Sequence, residues 1–561
     1  MNQTVVEGQA PPPFDVYQKK RFTGYIRCKL ETLTPLYIRD TYTPEELVKK
    51  EQGEENPDFF SPGDELKIPG SSLRGMIRNL IEIISWSKFG FFEDKLLFYR
   101  SLADANADFR REYQKNMTSR DQTKKTVYKF NAGYLQKEGM HYYIVPAEKV
   151  NGKQFNQMEK RRKNNIEFVV EKQHDSKYLV IPGDAPKKNN KGWFINPPDY
   201  SKEKIPVCEK DILAYNMDVN RYEDKAKKHD GNLMRMLSSA PEGIVPCFYV
   251  RWEDSRKKER ISFGHTGYFR LAYNYTTGDY LPSSHNIDFI DFTEALFGSI
   301  EKNFASRICF EDASLIPDQQ NISFEEAKIP QILAEPKPTT FQHYLEPDGE
   351  RPSHWNSKKY NTEITIRGNK LYWHRNNPGW EMEKQSREKI SEKVITRIRP
   401  VKTGTLFEFI IRYENLMKEE LGMLLFALDL PHGYYHKLGM GKPLGLGTVK
   451  LTPKLYISNR QERYSKLFEE NSWHLSEKIS DIEPFKNIFE KYLLNILKKQ
   501  EAVTVDFLWD IDRMRQLKTM LNWENTRIPN WLNKTKYMEI EPDNEFKKRL
   551  ILPKPDQVGD F

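Results

Sequence analysis

Cysteine is scarce in this chain. Only Cys28, Cys208, Cys247 and Cys309 occur among 561 residues, far apart and never as CxxC. That distribution excludes a disulfide framework and a structural zinc site. His432 and His436 have HxxxH spacing, but no glutamate follows the first histidine, so the zinc-protease motif is missing as well. No apolar run reaches the ~18 residues a membrane span needs. The first residues, MNQTVVEGQAPPPFDV, hold no apolar signal core. The expectation is a cytoplasmic protein with reduced thiols, no export signal and no membrane partner. One-sided charge is also lacking overall: 88 Lys and Arg face 80 Asp and Glu, and the net +8 identifies no partner.

What is present is bulk, aromatic content and local charge. The length calls for two to four domains, or one domain with large insertions. Hydrophobic content of 38% with 13% aromatic suffices for packed cores. Residues 105–200 hold 19 Lys and Arg against 11 Asp and Glu, an excess equal to that of the whole chain. A localised basic stretch points to a polyanion better than a uniform excess does. A solvated lysine-rich insertion is the plain alternative.

Along the chain, residues 1–20 read as a flexible tail broken by Pro11 to Pro13. Residues 21–104 open with a strand at Phe22 to Leu30, continued or bulged at Leu33 to Ile38, and then a polar loop from Asp40 to Asp64. Residues 105–260 read as a basic, β-rich insertion. Tracts at Lys124-Lys125, Lys160 to Lys163 and Lys187-Lys188 alternate there with Tyr142 to Val145, Phe168 to Val170 and Trp193 to Ile195. Basic residues interleaved with aromatics suit single-stranded nucleic acid, and equally any small β module. Residues 261–454 resume the first domain, with alternation from Glu363 to His374, a strand at Leu406 to Tyr413 and a helix at Asn415 to Leu428. Residues 455–561 form a helical appendage, with amphipathic helices at Phe485 to Leu497 and Val505 to Leu521.

Three stretches carry chemistry. In IPGSSLRG, residues 68–75, Pro-Gly turns the chain and Ser71 or Ser72 is placed to cap a helix with apolar residues at 73, 76, 77, 80, 81 and 84. Arg74 and Arg78 lie four apart on its first turns, a phosphate site or simply solvated arginines. In residues 291–313, a short helix over Phe292 to Phe297 ends at Gly298, and Ala305 to Phe310 reads as a strand closed by Glu311-Asp312-Ala313. From Pro431 to Leu451 come five glycines among His436, Lys437 and Lys442. Such a run can expose main-chain N–H groups to an anion. Pro443 after Gly441-Lys442 rules out a Walker A loop. A glycine-rich turn between two elements is the bland alternative.

Taken in this order, a strand, a long loop and IPGSSLRGMIRNLIE, then LFGSIEKNFASRICFEDA, then GTLFEFIIRY and HKLGMGKPLGLGTVKL, the chain resembles the repeat-associated mysterious protein (RAMP) superfamily. In particular it resembles the backbone subunits of type III CRISPR effector complexes, as a large insertion-bearing variant. The resemblance implies an α+β fold: a ferredoxin-like core, related to the RNA recognition motif, with β-rich insertions and the helical appendage. It implies that the core grips CRISPR guide RNA, with complementary target RNA and other effector subunits as further partners in antiviral defence. Ser71, Ser72, Arg74 and Arg78 would lie against the guide backbone. Arg307, His436, Lys437, Gly439, Gly441, Lys442, Gly445 and Gly447 would line the same path. Such phosphate contacts position RNA without reading its sequence. Binding would need no cofactor.

Some such subunits also act as endoribonucleases, cutting target RNA with a divalent ion, Mg2+ or Mn2+, and an acidic residue in the loop before IPGSS. Here that loop offers Asp40, Glu54, Glu55, Asp58 and Asp64, with Asp58 and then Asp40 the candidates. The family's spacing is not kept, and a loop of solvated acids holding no ion is the alternative. A second functional reading is a metal-independent endoribonuclease that processes guide precursors, using His436 or His432 as general acid or base with Tyr435 and Lys437. Against it, such enzymes lack the IPGSSLRG and FEDA pair and place their histidine early, whereas the first histidine here is His141.

Overall fold

The computed structural model describes residues 4–42, 57–159, 168–172, 178–182, 191–219, 243–333, 340–346, 365–383, 395–466, 476–538 and 545–559, apart from scattered positions of one to three residues, and a few isolated positions between these ranges. The fold is built around β1 (Phe22–Thr32). Along β1 every second residue is apolar, so Ile26, Cys28 and Leu30 are buried while Arg27 and Lys29 face solvent. In chain order the other core elements are β2 (Lys67–Ile68), α1 (Gly70–Ile84), α2 (Phe292–Phe297), β3 (Ile308–Phe310) and β4 (Ala313–Leu315). They continue with β5 (Leu406–Leu416), α3 (Lys418–Leu428), β6 (His436–Lys437), β7 (Thr448–Ser458), β8 (Glu477–Ser480), α4 (Glu483–Gln500) and α5 (Asp512–Leu521).

The sheet order is β2-β4-β5-β1-β7-β6, with β3 also on β5 and β8 also on β7. All these pairings are antiparallel, with Ile26 opposite Ile411 on one side and Leu455 on the other. The helices cover the face that carries Ile26, Cys28 and Leu30. α1 turns Leu73, Ile77, Leu80, Ile81 and Ile84 into this core. α3 is apolar on every side and buried along almost its whole length, because the sheet, α1 and α4 surround it. Gly422 sets that approach: a Cβ there would stand 2.1 Å from the Phe485 carbonyl oxygen. α4 and α5 contribute Phe485, Phe489, Leu493, Leu497, Met514 and Leu517 to the same core.

Several expectations change in detail. Leu33 to Ile38 forms no strand; only Leu36 bridges, to Val401, because this segment lies along the glycine loop. The expected strand at Ala305 to Phe310 starts at Ile308, after Ser306 and Arg307 turn back onto α2. The expected helix from Asn415 starts later: β5 runs through Leu416, with Asn415 at φ +52°, and α3 begins at Lys418. Val505 to Leu521 is a 3-10 turn at Leu508–Asp510 and then α5. From the expected tail, Val6 is buried in the core and donates to the Trp86 carbonyl, and Gly8 donates to that of Ile290. Of the alternating segment at Glu363 to His374, the described part forms one two-residue strand, Thr365–Ile366.

The 105–260 segment is β-rich. Strands at 131–138, 141–146, 205–207, 244–253 and 259–264 make one antiparallel sheet, and those at 155–159, 168–172, 178–182 and 191–195 another. Its basic tracts at 124–125, 160–163 and 187–188 lie outside the described residues. Among the described residues, Trp193 and its aromatic neighbours pack into a core. Trp193, Phe130, Phe155 and Phe248 meet with centroids 5.3–6.0 Å apart, and Trp193 is buried. This second core also takes Leu97, Tyr99, Leu271, Tyr273 and Phe341. Among the described residues no helix is long and apolar enough to cross a membrane.

Candidate functional site

α1 begins at Gly70 with Pro69 at its N-cap, and neither serine caps it. The Gly70 N–H donates instead to the Asp312 carboxylate at 2.7 Å, so the FEDA motif supplies the negative charge at the helix start. Ser71 is exposed and Ser72 half-buried one step further on. The helix start is therefore answered by Asp312, and the cations beside it are the side chains of Arg74 and Arg78. Arg74 and Arg78 both lie against Phe297, at 5.1 and 5.5 Å from its centroid. Arg74 donates to the Phe297 carbonyl at 2.8 Å. Burial and the Arg74 charge pull the Arg78 guanidinium down from its ordinary value, and Glu82 counters them. Thus the second motif's LFG aromatic holds the first motif's arginines in place.

The glycine loop is folded in on itself. Leu438 donates to the Gly447 carbonyl, Met440 to the Tyr37 carbonyl, Gly447 to that of Pro35, and Leu444, Gly445 and Leu446 close turns within the loop. Gly439, Gly441, Gly445 and Gly447 all have positive φ. At Gly447 a Cβ would stand 1.8 Å from the Leu438 oxygen, so only glycine fits. These N–H groups serve the loop's own turns and its contact with the 35–37 segment, not an open anion nest. His436 is buried, with Nε2 2.8 Å from the Ala427 oxygen, and burial pushes it down to about 4. It is thereby placed as a structural donor, away from any general acid–base role near neutral pH. His432 is exposed. Lys437 donates to the Gly445 and Leu446 oxygens at 3.2 and 2.9 Å. Burial, with Lys442 and Arg375 nearby, lowers its amine to about 7. Lys442 is half-buried and lowered in the same direction by burial and Lys370.

Arg307 lies elsewhere. It pairs with Glu420 through both terminal nitrogens, with side-chain exposures of 1% and 0%, and donates to the Ala295 and Asn415 oxygens. Its guanidinium joins α2, β5 and α3, and no surface is left for RNA.

Among the described residues of the acidic loop, Asp40 and Asp58 are each engaged by neighbours. Asp58 is ion-paired with Arg399, and Asp40 accepts from Ser61 Oγ at 2.9 Å and from the Thr41 N–H at 2.8 Å. Among the described residues no group of three His, Cys, Asp or Glu is gathered for a metal. Glu54 and Glu55 lie outside the described residues.

Sequence reasoning missed the segment that binds the glycine loop from outside. His374 bonds Thr448 Oγ1 and the Tyr435 oxygen; Arg375 donates to the Pro443 and Leu532 oxygens; Asn377 donates to that of Leu444. The signal was the run KLYWHRNN, residues 370–377, whose polar and aromatic density exceeds what a simple turn needs.

A family model described as "RAMPs: RAMP superfamily" matches residues 29–231 and 247–450. No curated protein matches the chain. Among solved structures, a chain in "Cryo-EM structure of the Type III-B Cmr-beta bound to cognate target RNA" is 11% identical. It covers 77% of this chain and 98% of its own length at a TM-score of 0.18, too low to establish a shared fold.

Proposed function

Because the chain belongs to the RAMP superfamily, we propose that it is a guide-RNA-binding subunit of a type III CRISPR effector complex, acting in the cytoplasm in antiviral defence, with complementary target RNA and neighbouring subunits as its other partners. The core is read as ferredoxin-like. Taking β1, the β3–β4 pair, β5 and β7 as first to fourth strands gives the spatial order fourth, first, third, second, with α1 after the first and α3 after the third. The observation that carries RNA binding is the pair Arg74 and Arg78, one helical turn apart and both seated on Phe297. Two guanidiniums held this way match backbone phosphates and carry no base preference, as interchangeable guides require.

Binding, not cleavage, is the activity assigned. Asp40 and Asp58 are committed to Ser61 and Arg399, so RNA binding is expected to survive EDTA unchanged. Loss of target-RNA cutting on EDTA treatment and in Asp58→Ala would assign these acids a role in cleavage after all. For binding, the test is Arg74→Ala with Arg78→Ala. The double variant is expected to weaken binding to all RNA sequences and to lower the slope of log K against log salt by about 0.7 per lost contact. An unchanged affinity and slope contradicts the assignment.

A further inference from the structure

The segment 369–377 runs from one motif to the other. At its start, the Asn369 amide donates to Asn79 Oδ1 at 3.3 Å and Glu82 Oε1 at 2.9 Å on α1, and Glu82 continues the helix face of Arg74 and Arg78. At its end, Arg375 and Asn377 hold the Pro443 and Leu444 carbonyls of the glycine loop at 2.8 and 3.1 Å. Between these anchors stand Lys370, exposed, and Tyr372, half-buried. The Lys370 amine lies 5.2 Å from the Tyr372 centroid, and the Lys442 amine of the glycine loop lies 6.0 Å from the same ring. Lys437 and Arg375 stand behind them, and Arg375 Nε is buried without a hydrogen-bond partner. Among the described residues no Asp or Glu forms an ion pair with Lys370, Arg375, Lys437 or Lys442. Lys370 and Lys442 share one ring, with Lys437 close to both Lys442 and Arg375 and no carboxylate paired with any of them among the described residues; such like charges repel one another, and a bound anion relieves that repulsion.

We infer that Lys370 and Lys442, flanking Tyr372, hold a backbone phosphate of single-stranded RNA, and that the 369–377 segment lines the RNA path from the α1 arginines to the glycine loop. This rests on the RNA-binding reading above and extends it from Lys442 in the glycine loop to Lys370, Tyr372 and the 369–377 segment, outside the three sequence motifs. Two ammonium groups on an aromatic support grip a phosphate as point charges and follow the strand without reading bases.

The test is a titration of the full chain with a fluorescent single-stranded RNA across a salt series, comparing wild type, Lys370→Ala with Lys442→Ala, and Arg74→Ala with Arg78→Ala. Lys370→Ala alone serves as a second variant, because that side chain is exposed and its removal leaves the fold intact. The expected result is weaker binding and a salt slope smaller by about 0.7 in Lys370→Ala and by up to about 1.4 in the double variant, with wild-type circular dichroism. A wild-type slope in the lysine variants beside a reduced slope in the arginine variant overturns this inference and leaves the wider reading standing. No salt-dependent RNA binding by the wild-type chain overturns both. Competition by millimolar inorganic phosphate equal in wild type and lysine variants places free-phosphate binding elsewhere and also counts against the site.

Discussion

At the scale of the residue, two charges matter for opposite reasons. Arg307 and Glu420 are a buried pair whose partners are all supplied, through the Ala295 and Asn415 oxygens and the Met417 N–H. Removing Arg307 leaves the buried Glu420 with only the longer Arg21 ion pair at 3.6 Å, so Arg307→Ala is expected to cost about 3–5 kcal/mol in denaturant unfolding. A cost below ~1 kcal/mol, the level of a surface ion pair, contradicts the buried role. Lys437 is the reverse case, a cation with carbonyls but no carboxylate among the described residues. Its ordinary value of 10.5 falls to about 7 in the folded chain. Between those two pH values the unfolded chain binds a proton that the folded chain does not, so this group makes stability rise with pH across that window. Below pH 7 both states are protonated and the full penalty applies. Lys437→Met is expected to flatten that rise, as read from unfolding at pH 7, 8.5 and 10; an unchanged pH profile contradicts the burial of the charge. Neither behaviour was legible in the sequence. In sequence Arg307 falls within the expected Ala305 to Phe310 strand and among the residues expected to line the RNA path, and only the three-dimensional arrival of Glu420, 113 positions away, makes it a core residue.

At the scale of the element, sequence patterns placed the pieces well and their ends less well. The alternation of β1 and the apolar face of α1 were plain, because each depends on a period that near neighbours carry. The cap of α1 was not, because the group that answers Gly70 is Asp312, brought in from the far side of the insertion. The serines at 71 and 72 fit a local capping rule that tertiary structure overrode. The glycine loop was found, yet its glycines solve a packing problem instead of exposing N–H groups. Gly447→Ala puts a Cβ into the Leu438 carbonyl at φ +76°. It is expected to lower the thermal midpoint by several degrees and to weaken RNA binding with it. Wild-type stability in that variant contradicts the tight loop.

At the scale of the whole molecule, one core unites the sheet, the four larger helices around it and the first residues of the chain, while a second core holds the β-rich insertion. The order of three distant motifs along the sequence was enough to suggest the family, since each marks one corner of the same sheet-and-helix arrangement. What joins them was hidden: the FEDA aspartate on α1, the LFG phenylalanine under two arginines, and the 369–377 segment reaching the glycine loop are all long-range contacts between irregular stretches. The most direct measurement is to purify the full chain from a host that expresses its own CRISPR array and to sequence the RNA that comes with it. The account predicts repeat-derived guides, recovered together with other effector subunits. Recovery of no RNA, or of random cellular RNA alone, would contradict it.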